Sequence, residues 1–337
     1  MKKVSLALAG LLLAATAPFA AAQKINGAGA TFPAVIYQKW FDEYHKLHKD
    51  IEINYQSIGS GGGVAQLTAG TVDFGASDYP LTEKQISELK VPALHFPTVL
   101  GGVVPAYNIP GVTQELKFSP ETLSGIFLGT ITKWNDPSLA KDNPGVKLPK
   151  EDIQVVHRSE GSGTTYCWTD YLSKINPVWK TKVGTAGSVN WPVGTGGKGN
   201  EAVAGTVKQI PNSIGYVELA YAVQTKMAYG SVRNLSGNLV KCDFNSVTEA
   251  AAVAAKNMPA DFRVSITNPT GKNAYPIATF TWLLVPTKIP DAAKAKAIKG
   301  FLQWMLTDGQ KFAAGLGYAP LPKEVVAQET KQIAKLQ

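Results

Sequence analysis

Three times along this chain, a few Gly, Ser and Thr residues lead directly into a helical period. The junctions are Ala28-Gly29-Ala30-Thr31-Phe32-Pro33, Ile58-Gly59-Ser60-Gly61-Gly62-Gly63 and Arg158-Ser159-Glu160-Gly161-Ser162-Gly163-Thr164. A helix N-terminus presents amides without an intrahelical acceptor and a partial positive charge, so it holds anions. Glycine lets backbone approach a ligand closely, and Ser and Thr add hydroxyl donors. Each junction alone is also what an ordinary helix cap looks like. Three of them, one entered through an arginine, point to an oxyanion site.

Around the junctions the pattern alternates strand and helix, which predicts an α/β fold. Apolar residues at 32, 36, 37, 40, 41 and 44 give a helical period over Phe32–Lys46, with Pro33 suited to its first position. Ile51–Tyr55 reads as a strand, Ser57–Gly63 as a loop feeding a short helix, and Val72–Ser77 as a strand ending before Asp78. Thr82 and Ser119 stand where helix caps belong. Ile153–His157 is a short strand before Arg158, and Thr164–Ile175 a helix. Ala278–Val285 is a strand, and Asp291–Met305 an amphipathic helix. A length of 337 residues suits about two domains. Two extended runs, around 98–104 and 275–280, have the character of paired crossings between two such units.

Arginine is scarce. Of 33 Lys and Arg residues only Arg158, Arg233 and Arg263 are Arg. A guanidinium fork matches a tetrahedral oxyanion bidentately, so this chain has three places to do it. Arg158 ends a strand directly before the third junction, with Glu160 placed to orient it. Arg233 and Arg263 read as surface residues. His157 precedes Arg158 on the same strand, so it points to the opposite face.

Other chemistries find no support in the sequence. Gly197-Lys198 is followed by Gly199, so there is no phosphate-binding loop of the nucleotide type, and the Gly59 loop lacks dinucleotide spacing. Ser162 has Glu160 two positions before it, which breaks the hydrolase elbow pattern. The net charge of +8 comes from dispersed Lys without interleaved aromatics, which argues against nucleic acid. His45 and His48 sit in a Lys-rich stretch that reads as a solvated helix face rather than a metal site. A bridge between Cys167 and Cys242 would close a loop of roughly 75 residues, stabilising by about 4 kcal/mol. Two separate thiols are the alternative, and the sequence leaves both open.

The first 22 residues read as an export signal. Lys2-Lys3 is a basic start, Val4–Phe19 is apolar, and Ala20-Ala21-Ala22 offers cleavage before Gln23. An uncleaved anchor is the rival reading, disfavoured by Pro18 and the polar residues that follow at once. The expected location is the periplasm.

The junctions, together with further stretches, resemble the phosphate-binding protein of bacterial phosphate-specific ABC importers, the PstS family. These stretches are Asn54–Val64, Val72–Asp78, Phe96–Val99, Trp134–Pro137, Gly196–Asn200 and Ser213–Glu218. The resemblance runs through essentially the whole chain after residue 22, in order. It implies a two-lobed periplasmic-binding-protein fold of type II, with mixed sheets flanked by helices and two hinge crossings. Lobe I would comprise 23–100 plus 278–337, and lobe II 101–277. It further implies a phosphate site built from Thr31, Phe32, Ser60, Asp78, Arg158, Ser162, Gly163 and Thr164, with no cofactor and no metal. The expected partners are inorganic phosphate and the inner-membrane permease subunits with their ATPase, for a monomeric receptor that is not an enzyme. Two departures stand out: Glu160 occupies a position where relatives often carry Asp, and His157 replaces a second basic residue.

Within that resemblance Asp78 carries the selectivity. A carboxylate beside an anion is repulsive unless a proton lies between them. Phosphate near neutral pH keeps an O–H for Asp78 to accept, whereas sulfate has none. Arsenate keeps a proton as phosphate does. The alternative functions are therefore the same fold tuned to sulfate or arsenate, or a secreted phosphatase or esterase.

Overall fold

The computed structural model describes residues 22–337, so the expected export signal lies outside the described residues except for Ala22. Twelve strands run in chain order as β1 (Gln23–Gly29), β2 (Ile51–Ser57), β3 (Phe74–Ser77), β4 (Ala93–Asn108), β5 (Lys117–Phe118) and β6 (Gln154–Arg158). They continue as β7 (Thr195–Gly197), β8 (Ser213–Glu218), β9 (Ala228–Tyr229), β10 (Ser231–Arg233), β11 (Leu239–Val240) and β12 (Ala278–Pro286). Nine of them form one mixed sheet in the order β2-β1-β3-β12-β4-β8-β6-β7, with β9 also on β4. The order β11-β10-β5 makes a small separate sheet.

Parallel and antiparallel pairing divide this sheet by position. β2, β1 and β3 are mutually parallel, as are β8, β6 and β7. Between them β12 and β4 run antiparallel to their neighbours. β4 is 16 residues long and changes partner midway, pairing with β12 as far as Gly102 and with β8 from Val103. A Cβ at Gly102 would collide with Cys242 Sγ, so the partner change occurs where the chain has no side chain. Pro97 can donate no ladder hydrogen bond, and beside it the register shifts between Thr281 and Trp282.

Helices cover both parallel groups. Helix Ala34–Leu47 buries Ile36, Tyr37, Trp40, Phe41 and Tyr44, the predicted stripe. It begins one residue later than expected, because Pro33 is its N-cap. Tyr37 and Phe41 pack with Tyr55, and Phe41 also meets Phe74 and Phe301, closing one aromatic core. Around β6 and β8 a second core forms from Phe127, Trp168, Trp191 and Tyr216. Full burial of a ring such as Phe127 stabilises by roughly 1.5–3 kcal/mol.

The parallel groups fix where loops can meet. β1 and β3 end together at Gly29 and Ser77, so Ala30–Pro33 and Asp78 leave the same edge. β6 and β7 end together at Arg158 and Gly197, so Ser159–Ser162 and Lys198–Asn200 share an edge too. Ligands of open α/β sheets sit outside such carboxyl ends.

Candidate functional site

The two edges face each other and touch. Gly61 N–H donates to Gly161 O at 2.9 Å, joining the second junction to the third. Gly163 N–H donates to Ser60 Oγ at 3.1 Å. Tyr79 and Tyr166 stack with centroids 5.0 Å apart. Tyr221 Oη–H donates to Thr31 O at 2.6 Å.

All eight predicted residues lie in this junction. Thr31, Phe32, Ser60, Asp78, Arg158, Ser162, Gly163 and Thr164 are buried, none more than 3% exposed where a value is given. Thr31 and Phe32 precede helix Ala34–Leu47. Ser60 opens helix Ser60–Ala69 itself, where a loop through Gly63 was expected. Ser162 caps helix Gly163–Ile175, accepting from Thr165 N–H at 3.0 Å, and Thr164 lies in its first turn. The leading amides of these helices have no intrahelical carbonyl to bind; those of Gly61, Gly163 and Thr165 donate instead to Gly161 O, Ser60 Oγ and Ser162 Oγ.

Arg158 is held rigidly. Its Nε and Nη2 both donate to Glu160 Oε1, which also accepts Gly199 N–H at 3.0 Å. Arg158 Nη1 donates to Thr164 Oγ1 at 3.3 Å. Glu160 is thus the brace that its spacing suggested. Because Arg158 and Glu160 cancel in formal charge, attraction for an anion here comes from aimed N–H and O–H dipoles. His157 lies away from this site, with its ring stacked on Trp191 at 4.8 Å.

Asp78 is 1% exposed and faces the third junction across the gap. Its Oδ1 accepts the Thr281 hydroxyl at 2.8 Å, and its Oδ2 stands 3.4 Å from Ser60 Oγ. Burial pushes its pKa up to about 7, against the opposing pull of the Thr281 hydroxyl, the Arg158 charge and the Ser60 hydroxyl. Gly163 lies so close that a Cβ there would stand 2.5 Å from Asp78 Oδ2 and from Ser60 Oγ. Only glycine permits that approach.

Sequence reasoning gave no role to Thr279, Thr281 or Asn200. The two threonines alternate with Phe280 and Trp282 in an otherwise apolar strand, and that period of two was the available signal. Thr279 Oγ1 donates to Asp78 O at 3.2 Å, so both clamp one residue. Asn200 opens the segment after β7 and donates to Thr31. Arg263, read as surface, lies at the surface, paired with Glu83 and Asp261 and donating to Leu81 O. Cys167 and Cys242 are both free and buried, and burial pushes both thiols up. Among the described residues no group of three or more His, Cys, Asp and Glu is arranged to hold a metal. No described helix is long and apolar enough to cross a membrane.

Comparison with known proteins gives a consistent result. A family profile described as a PBP superfamily domain matches residues 14–309. Phosphate-binding protein PstS of Xylella fastidiosa is 46% identical over 306 residues, covering 90% of this chain and 83% of its own. That of Haemophilus influenzae is 45% identical over 318 residues, covering 94% of each chain. Among solved structures, a high affinity periplasmic phosphate-binding protein (PfluDING) bound with phosphate superposes with a TM-score of 0.73. It is 20% identical and covers 92% of this chain and 93% of its own, which supports the two-lobed α/β fold. On the sequence relatives and the superfamily match, the chain belongs to the PstS family of phosphate-binding proteins.

Proposed function

We propose that this chain is a periplasmic receptor that captures inorganic phosphate between two lobes and hands it to an ABC importer. The observation that carries this reading is the composition of the buried site. Hydroxyl and amide donors from three helix starts and one braced arginine surround a single carboxylate, Asp78. In this reading Thr31, Ser162 and Thr164, the Phe32 amide and Arg158 donate to phosphate oxygens, and Ser60 and the Gly163 amide join them by exchanging their partners Asp78 Oδ2 and Ser60 Oγ for the ligand. Asp78 accepts the remaining P–O–H. Burial that makes Asp78 hard to ionise beside an anion is tolerable when a proton is shared between them.

The lobes are assigned as 23–100 with 278–337, and 101–277. The partner change of β4 between Gly102 and Val103, and the start of β12 at Ala278 opposite Gly102, support that division. Closure of the lobes buries the anion, and the closed form is what the permease subunits with their ATPase recognise. The site binds and releases; it does not break bonds. The receptor acts as a monomer, exported by the segment 1–22 and without a metal or cofactor.

The test is anion analysis of purified, undialysed protein together with calorimetric titration of phosphate in competition with sulfate. Stoichiometric phosphate, displaced by phosphate and not by excess sulfate, is expected. Tight sulfate binding, or release of phosphate from an ester by the same preparation, would overturn the reading.

A further inference from the structure

Asn200 is fully buried at the start of helix Gly199–Gln209 and joins both faces of the site. Its Oδ1 accepts Glu218 N–H at 2.9 Å. That bond fixes the amide orientation, because a backbone N–H can only donate. The Nδ2 group therefore faces the site. One of its protons goes to Thr31 Oγ1 at 2.8 Å and the other to Thr164 Oγ1 at 3.1 Å. The Asn200 backbone N–H adds a second donor to Thr31 Oγ1 at 3.2 Å. Thr164 Oγ1 receives its second donor from Arg158 Nη1 at 3.3 Å.

A hydroxyl has two lone pairs and one proton. At Thr31 both lone pairs are taken by Asn200, and at Thr164 by Asn200 and Arg158. Each hydroxyl is left able only to donate. Ser60 differs: its Oγ accepts from Asp78 N–H at 3.2 Å and Gly163 N–H at 3.1 Å, but its own proton already goes to Asp78 Oδ2 at 3.4 Å. The Thr164 hydroxyl, held by Asn200 and Arg158 from its own face, is thereby set as a donor before the faces meet, and the Thr31 hydroxyl as they meet.

We infer that Asn200 is a positioning residue for the anion site: it holds the Thr31 and Thr164 hydroxyls in the donor sense across the inter-lobe junction. This rests on the phosphate-receptor reading above. Thr31 belongs to the first junction and Asn200 to the segment after β7, so the Thr31 half of the device is assembled as the two faces meet. It confines acceptance of a ligand proton to Asp78, since a protonated ligand oxygen placed against Thr31 or Thr164 meets only other protons.

The test is a double-mutant cycle read by phosphate titration. Asn200→Ala is expected to raise the Kd at least about tenfold in the wild-type background and by less than about twofold in a Thr31→Val, Thr164→Val background. A purely structural role would give the same factor in both. Asn200→Ser removes the Nδ2 protons without placing a carboxylate beside the anion, so it serves where Asn200→Ala does not fold, with the same collapse expected in the double-valine background. Wild-type affinity in the Asn200 variants, or equal factors in both backgrounds, overturns the inference alone. A wild-type chain that binds no phosphate overturns the reading beneath it and the inference with it.

Discussion

Thr281 donates its hydroxyl to Asp78 Oδ1 at 2.8 Å, and this bond assigns the two carboxylate oxygens different tasks. Oδ1 belongs to the scaffold, fixed from a strand 203 residues further along the chain. Oδ2 is left toward Ser60 and Gly163, where the other face arrives. A carboxylate pinned in this way presents one acceptor at one place. That is what discrimination between a protonated and a fully ionised oxyanion requires.

Asp78→Asn is therefore expected to narrow the preference for phosphate over sulfate by at least about tenfold, or roughly 1.4 kcal/mol. The amide removes the charge that repels sulfate and supplies a donor in its place. Competition titration of phosphate-loaded variant with sulfate measures the ratio. Sulfate competition unchanged from wild type would remove Asp78 from its assigned role.

Arg158→Ala should weaken phosphate binding by about 1.5–3 kcal/mol, the scale for hydrogen bonds to charged groups. Arg158→Lys should recover little of it. A lysine cannot at once hold Glu160, meet Thr164 and face the anion as the planar fork does. Calorimetric Kd values for the three proteins decide the matter, and near-native affinity in either variant would count against the assignment.

Periodic elements were readable in the sequence because their burial is one-sided. The stripe on helix Ala34–Leu47 stands where the pattern placed it, and the extended run around 98–104 lies within β4. β1 went unread because Gln23–Gly29 carries Ile25 as its only large apolar side chain. Its place between β2 and β3 is set by neighbours on both sides, not by its own composition. The site followed the same division. Arg158 and the three helix starts are local signals, since rarity and capping chemistry show in a few consecutive residues. Thr281 and Asn200 matter through partners 203 and 169 residues away, and no local pattern encodes such a distance.

The pKa of about 7 at Asp78 makes a statement about pH. Its ordinary value is 3.8, so between these values the folded, closed chain holds a proton that the unfolded chain has released. Stability from this group is complete below pH 3.8 and is lost as pH rises toward 7. The full loss is on the order of 4 kcal/mol at about 1.4 kcal/mol per pH unit. Burial raises Glu218 and Glu329 as well, and they act in the same direction. Denaturant unfolding of phosphate-free protein at pH 5 and pH 8 should show lower stability at pH 8. Asp78→Asn should shrink that difference without abolishing it. An identical pH dependence in the two proteins would show that Asp78 is not buried and proton-holding in the phosphate-free state.

Gly163→Ala offers the most direct test of how the two faces meet. The added methyl would stand 2.5 Å from Asp78 Cβ, Asp78 Oδ2 and Ser60 Oγ, all on the opposite face. Alanine is acceptable at the start of a helix, so the half containing residue 163 should fold as before. The clash arises only when the faces come together, and it can be relieved by leaving them apart. The expected result is a loss of phosphate affinity of at least about a hundredfold, close to 2.8 kcal/mol. Small-angle scattering with saturating phosphate should show a larger radius of gyration than wild type under the same conditions. Wild-type affinity and compaction in Gly163→Ala would mean that Asp78 and Gly163 are not in contact when the ligand is bound.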